Sequence, residues 1–130
     1  MRPTPYIEME INELVRILKK LRIPYTEDEY GIHERIKRVL DENETEYIHE
    51  AVIGSRCRID FLCGGIGIEV KRGKPDKKRV LAQCSRYAAC EKVQGIILVI
   101  DTALKLPSSV NGKPLTVIGL NSLWGIALPG

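Results

Sequence analysis

The chain has 130 residues, 44% apolar and 28% charged, with 20 Lys and Arg against 17 Asp and Glu for a net charge of +3. These values describe one domain able to bury a real core and exclude a fibre, a charged tail or a membrane protein. The longest uncharged run, 114–130, contains Pro, Gly, Asn and Ser and is shorter than the roughly 20 apolar residues of a span. The opening MRPTPYIEME lacks the apolar stretch of a secretion signal, so a cytoplasmic location is expected.

Charge is unevenly placed. Residues 27–50 hold nine acids and three bases, a local charge of −6, whereas 51–79 hold eight bases and three acids, or +5. Cys57, Cys63, Cys84 and Cys90 lack the paired Cys-x-x-Cys spacing of zinc sites and read as buried free thiols.

Ile11, Leu14, Val15, Leu18 and Leu21 recur at helical spacing and predict an amphipathic helix over about 8–22, ended before Ile23-Pro24. Ile32, Ile36, Val39 and Leu40 predict a second over about 29–42, with an acidic entry. Three β-rich runs follow, 47–53, 56–63 and 66–71, separated by Gly54-Ser55 and Gly64-Gly65, both two-residue hairpin signals. A third helix is predicted over about 76–93. GIILVID at 95–101 reads as a buried strand, and 115–120 as a last strand after the Asn111-Gly112 turn. This order predicts an α/β sandwich around a mixed sheet, with an antiparallel meander and a strand at 95–101 parallel to a neighbour.

With Gly64-Gly65 as the loop, Cys63 faces Ile66 and, counting outward, Asp60 faces Glu69. Like charges directly opposite destabilise a sheet, so something must compensate. Strict alternation puts Cys57, Ile59, Phe61, Ile66, Ile68 and Val70 on an apolar face. Arg58, Asp60, Gly67, Glu69 and Lys71 share the other, with a gap at Gly67. Two converging carboxylates suit Mg²⁺ or Mn²⁺, which keep waters and bind phosphate.

Asp60 followed by Glu69-Val70-Lys71, within RIDFLCGGIGIEVK, resembles the core motif of the PD-(D/E)XK nuclease superfamily. Ile59 stands where that name has Pro, and about 30–101 carry the resemblance. It implies a restriction-endonuclease-like αβββαβ core, flanked here by an extra N-terminal helix, in one domain over 1–130. It also implies a Mg²⁺- or Mn²⁺-dependent endonuclease acting on DNA. A small phage or prophage nuclease, or a Holliday-junction-resolvase-like member, would look similar. The same resemblance implies Asp60, Glu69 and the Val70 carbonyl as metal ligands and Lys71 as the residue orienting or deprotonating water. Gln83 and Tyr87, one turn apart in LAQCSRYAAC, resemble a Gln-x-x-x-Tyr element that holds the DNA backbone and active site.

A further acid is expected from the second helix, where Glu34 stands beside the apolar stripe. Glu50 and His49 compete: a two-residue turn at 54–55 pairs His49 with Asp60, and a three-residue turn at 54–56 pairs Glu50 with it. His33, with no partner evident in the sequence, reads as structural or solvated. Lys71, Arg72, Lys74, Lys77, Lys78 and Arg79 form a basic run after the catalytic strand, which together with Arg58 and the third helix's N-terminus is expected to meet phosphates. One Phe and one Trp leave little equipment for base stacking. The uncharged C-terminal segment, including Leu115, Ile118, Leu120, Leu123, Ile126 and Leu128, is expected to cover the sheet or form a homodimer. Two other readings are a non-catalytic nucleic-acid-binding domain and an assembly protein whose acidic and basic thirds dock between copies.

Overall fold

Ile7, Ile11, Leu14 and Leu18 recur every three or four residues and form the buried stripe of the first helix, α1 (Thr4–Leu18). The computed structural model describes residues 4–101 and 104–125. Helix α1 lies four residues N-terminal of the expected span. After Leu18 the chain turns, and Ile23 bridges Trp124, with its N–H bonded to the Leu123 carbonyl at 2.7 Å. Helix α2 (Glu29–Glu42) has the expected bounds; the Asp28 carboxylate caps it by accepting from the Gly31 N–H at 2.8 Å.

Strands β1 (Ile48–Gly54), β2 (Cys57–Cys63) and β3 (Ile66–Lys71) form the antiparallel meander. Helix α3 (Lys77–Ala88) returns the chain to β4 (Gly95–Ile100), which runs parallel to both β3 and β6 (Lys113–Gly119). Helix α3 is shorter than the expected 76–93, with Asp76 as its cap. The two-residue strand β5 (Ser109–Val110) pairs with β6 across Asn111-Gly112. Both turn residues have positive φ, 50° and 75°, as a tight hairpin requires. The sheet is mixed and six-stranded, in the order β1-β2-β3-β4-β6-β5.

Helices α1 and α2 pack with Phe61, Ile66, Ile68, Val70, Ile97 and Val99 on one face. Helix α3 packs with Ile59, Leu62, Ile96, Leu98, Ile100 and Leu115 on the other. The central strands are covered from both sides, which is why GIILVI carries no polar residue. Leu115, Ile118, Leu120 and Leu123 belong to this core rather than to a subunit interface; Ile126 and Leu128 lie outside the described residues. Among the described residues, no helix is long and apolar enough to cross a membrane.

Two expectations for the hairpins need correction. The β1–β2 turn is Ser55-Arg56, because Gly54 pairs with Cys57 beyond an irregularity after Val52. In the rest of that ladder His49 lies opposite Phe61 and Ala51 opposite Ile59, which leaves Glu50 facing Asp60. Strict alternation also fails. Phe61 packs under α1 and α2, but Ile59 packs with Ala51 and Ile53 on the α3 side. The strands therefore switch faces at Glu50, whose φ of 52° is unusual for a side-chain-bearing residue, and at Asp60. Gly67 opens no gap in the site, because the Ile59 side chain fills the space: a Cβ there would lie 2.4 Å from Ile59 Cδ1.

Candidate active site

Main-chain pairing between β2 and β3 covers Cys63↔Ile66, Leu62↔Gly67 and Phe61↔Ile68. At the next position side chains take over. The Asp60 N–H donates to Glu69 Oε1 at 3.1 Å, and the Val70 N–H donates to Asp60 Oδ2 at 2.8 Å. Each carboxylate thus accepts an amide proton from the opposite strand, and this reciprocal capping lets two acids share one position in the hairpin. A strand residue turns its N–H and C=O to the same neighbour, so the Val70 carbonyl faces this opening as well. The Lys71 carbonyl points the other way and accepts from Asp101 N–H at 3.0 Å.

Glu69 is buried at 5% exposure, the only polar or charged residue among the buried positions described. The Tyr87 hydroxyl donates to Glu69 Oε2 at 2.8 Å, and Lys71 Nζ lies 3.2 Å from the same oxygen. Burial and the neighbouring Asp60 charge push Glu69 above the ordinary carboxylate range, against the pull of Tyr87 and Lys71. Asp60 moves the opposite way. Burial acts to raise it, but hydrogen bonds from His33 and the Val70 N–H prevail and hold it below its ordinary value. Two carboxyl groups within hydrogen-bonding reach of each other are thereby split in affinity for protons.

The α2 side chain against Asp60 is His33, not Glu34. His33 Nε2 lies 3.3 Å from Asp60 Oδ2, and His33 Nδ1 lies 2.9 Å from His49 Nε2. His33 is thus partnered on both ring nitrogens, contrary to the expectation of a solitary ring. Its hydrogen bond to Asp60 raises its pKa despite burial, whereas desolvation and then Lys37 lower that of His49. Glu34 is ion-paired with Lys37 at 2.8 Å, and Glu50 is exposed on β1.

Two residues expected at a nucleic-acid surface are engaged within the fold, although Arg72 also lines the groove beside Lys71. Tyr87 is buried at 2% exposure, with its hydroxyl committed to Glu69. Arg72 holds Asp101 Oδ2 at 2.7 Å, donates to the carbonyls of Tyr25 and Glu27, and lies over the Trp124 ring at 4.9 Å. Its own N–H donates to Glu29 Oε1 at 3.0 Å. The planar guanidinium fork ties the end of β3 to the segment before α2 and to the last described residues.

Beside Lys71 opens a groove of about 550 Å³, lined among others by Lys74, Arg79, Gln83 and Arg86. Arg86 was missed in the sequence because it lies about two helical turns beyond the basic run. Lys77 and Lys78 are exposed on the first turn of α3, and Arg58 is exposed on β2 opposite Val52. The N-terminus of α3 is already occupied by the Asp76 carboxylate, which accepts from the Arg79 N–H at 3.0 Å. An acid there disfavours the phosphate expected at that helix end. All four cysteines are free; Cys63 and Cys84 are buried and their thiols pushed up to about 12 and about 11 by burial, but Cys57 and Cys90 are only half-buried.

Comparison of the chain with protein-family models, with curated proteins and with solved structures gives no match.

Proposed function

We propose that the protein is a divalent-metal-dependent endonuclease acting on DNA, built on a restriction-endonuclease-like core of the kind its Asp60…Glu69-Val70-Lys71 motif resembles. The observation that carries this reading is the carboxylate pair itself. Asp60 and Glu69 converge where the β2–β3 ladder opens, Lys71 stands beside them, and a basic groove begins at Lys71. The reading that the acids are merely neutralised on a solvated face fits poorly, since Glu69 is buried and costs the fold stability when ionised.

Carboxylate oxygens of Asp60 and Glu69 and the Val70 carbonyl facing the same opening would hold a small divalent ion that keeps several waters, although among the described residues no group of three His, Cys, Asp or Glu side chains is placed to hold one. Such an ion, when bound, supplies Lewis acidity to a phosphate oxygen and lowers the pKa of a coordinated water. The chain's own residues do the rest. The hairpin amides fix the two carboxylates, and Tyr87 holds Glu69 Oε2 in place. Lys71, a compact cation with three donors, orients a water and offsets charge growing on the phosphate. Lys74, Arg79 and Arg86 hold backbone phosphates along the groove, and Gln83 in the same lining supplies a neutral donor.

The test is nicking of supercoiled plasmid and cutting of linear, flap and four-way-junction DNA with Mg²⁺ or Mn²⁺, with Asp60→Ala as control. Metal-dependent cutting by the wild type and none by Asp60→Ala supports the endonuclease, and the panel shows whether branched DNA is preferred. DNA binding without cutting by either protein supports a non-catalytic binding domain instead.

A further inference from the structure

Cys57 opens β2 and Cys90 lies just beyond the end of α3, far apart in the chain, yet the fold brings both to Gly54. Gly54 pairs with Cys57 across the β1–β2 turn. A Cβ built on Gly54 would lie 3.1 Å from Cys90 Sγ and 3.8 Å from Cys57 Cβ, and no other heavy atom outside its chain neighbours comes within 4 Å of it among the described residues. The space left by the missing side chain is therefore shared by the two cysteines alone. Both thiols are free and half-buried, at the edge of the core layer under α3. Cys90 is held there by its backbone: its N–H donates to the Tyr87 carbonyl at 3.0 Å, and its carbonyl accepts from the Val93 N–H at 3.1 Å and Lys113 Nζ at 3.2 Å. Its thiol makes only a weak bond, to the Arg86 carbonyl at 3.4 Å, and is easily released. Burial raises the Cys57 thiol above its ordinary value, and the neighbouring Cys90 thiol adds to the rise. Cys63 packs in the other core layer and Cys84 is buried at 1% exposure, so Cys57 and Cys90 are the pair open to an oxidant.

We infer that Cys57 and Cys90 are a thiol-oxidation site that closes to a disulfide, tying the β1–β2 hairpin to the segment after α3. The inference stands apart from the nuclease reading. The co-reactant is a small organic disulfide of the glutathione type. The thiolate of one cysteine attacks it, forming a mixed disulfide and expelling one half as a thiolate. The second cysteine's thiolate then attacks the protein sulfur of that mixed disulfide and expels the other half. One protein S–S bond forms and one oxidant S–S bond breaks. Two electrons pass to the oxidant, and the two protons shed by the cysteines end on the two thiols released. The closed loop contains Asp60, Glu69, Lys71 and Tyr87. Restricting the unfolded chain over a loop of this length corresponds to a rise in melting temperature of about 5–14 °C, the upper end holding for an unstrained bridge.

The test exposes the full chain to oxidised glutathione and then to dithiothreitol, with peptide mapping by mass spectrometry under non-reducing conditions and calorimetry at each stage. The expected result is a single cross-link within one chain, joining the peptides that carry Cys57 and Cys90, with Cys63 and Cys84 still reduced. The oxidised protein is expected to melt about 5–14 °C above the reduced one, and dithiothreitol to reverse both changes. Cys57→Ser and Cys90→Ser, or Cys90→Ala should a serine variant misfold, are each expected to abolish the cross-link and the shift. The inference is overturned if all thiols of the wild type stay free. It is equally overturned if glutathione remains attached to Cys57 or Cys90 without closure, if the cross-link maps to another pair or joins two chains, or if the bridge forms with no rise in melting temperature. A shift that persists in Cys57→Ser overturns it as well.

Discussion

Tyr87→Phe removes one oxygen and otherwise preserves the shape of the core, so its cost reports the hydroxyl's bond to Glu69 Oε2 at 2.8 Å. A hydrogen bond to a charged group contributes about 1.5–3 kcal/mol and one to a neutral group about 0.5–1.5 kcal/mol. Glu69 titrates above its ordinary 4.5, and Tyr87 is one of the groups restraining that rise. The sign follows. Ionised Glu69 costs the fold stability as pH climbs from 4.5 through the folded pKa, and loss of the hydroxyl enlarges that cost. Below 4.5 the group is protonated in both states and only the weaker neutral bond is lost. With an unfolding entropy of roughly 2.1 cal/mol/K per residue, the variant is expected to melt about 5–11 °C below wild type at about pH 8. At about pH 4.5 the gap is expected to narrow to about 2–5 °C. Calorimetry of both proteins at the two pH values checks this. An unchanged gap, or no destabilisation at either pH, refutes the reasoning; a large loss of DNA affinity with normal melting returns Tyr87 to the nucleic-acid surface.

Arg72→Ala strips Asp101, two main-chain carbonyls and the Trp124 ring of one shared partner, and is expected to cost about 1–3 kcal/mol after allowing for partial solvent exposure. Its effect on the DNA affinity of the folded fraction is expected to stay within about threefold, as filter binding below the melting range can show. Gly67→Ala drives a Cβ into Ile59 Cδ1 within a fully buried contact and is expected to destabilise by about 1–3 kcal/mol in urea unfolding; no loss removes Ile59 from that space. Replacing Lys74 and Arg79 together by Ala is expected to weaken DNA binding and flatten its log–log salt dependence by about 1–2 units, and an unchanged slope places the phosphates elsewhere.

Local signals carried much of this architecture. Apolar spacing located α2 to the residue, and Gly64-Gly65 set the β2–β3 register that brings Asp60 and Glu69 together. Contacts that depend on distant segments left no local trace. His33 and His49 are sixteen positions apart and meet only because β1 pairs with β2 while α2 packs against that face. Arg72 reads as one more cation in a basic run, since its carbonyl partners at 25 and 27 have no sequence signature. Alternation failed at Ile59 because the strands change faces at the left-handed Glu50 and, opposite it, between Ile59 and Phe61, an effect of sheet geometry rather than composition. Strand β5 was missed because two residues carry no periodicity; its hairpin was visible only as the Asn111-Gly112 turn.

The central claim is that Asp60 and Glu69 hold the ion while Lys71 serves the chemistry, and Lys71→Met separates the two roles. Plasmid nicking and Mn²⁺ binding should be measured on the same preparations of wild type and Lys71→Met. The account predicts that the variant binds Mn²⁺ within about tenfold of wild type and nicks at least about 100-fold more slowly, the scale of a lost general acid–base or charge-stabilising group. Nicking at the wild-type rate by Lys71→Met, with Mn²⁺ bound, contradicts it.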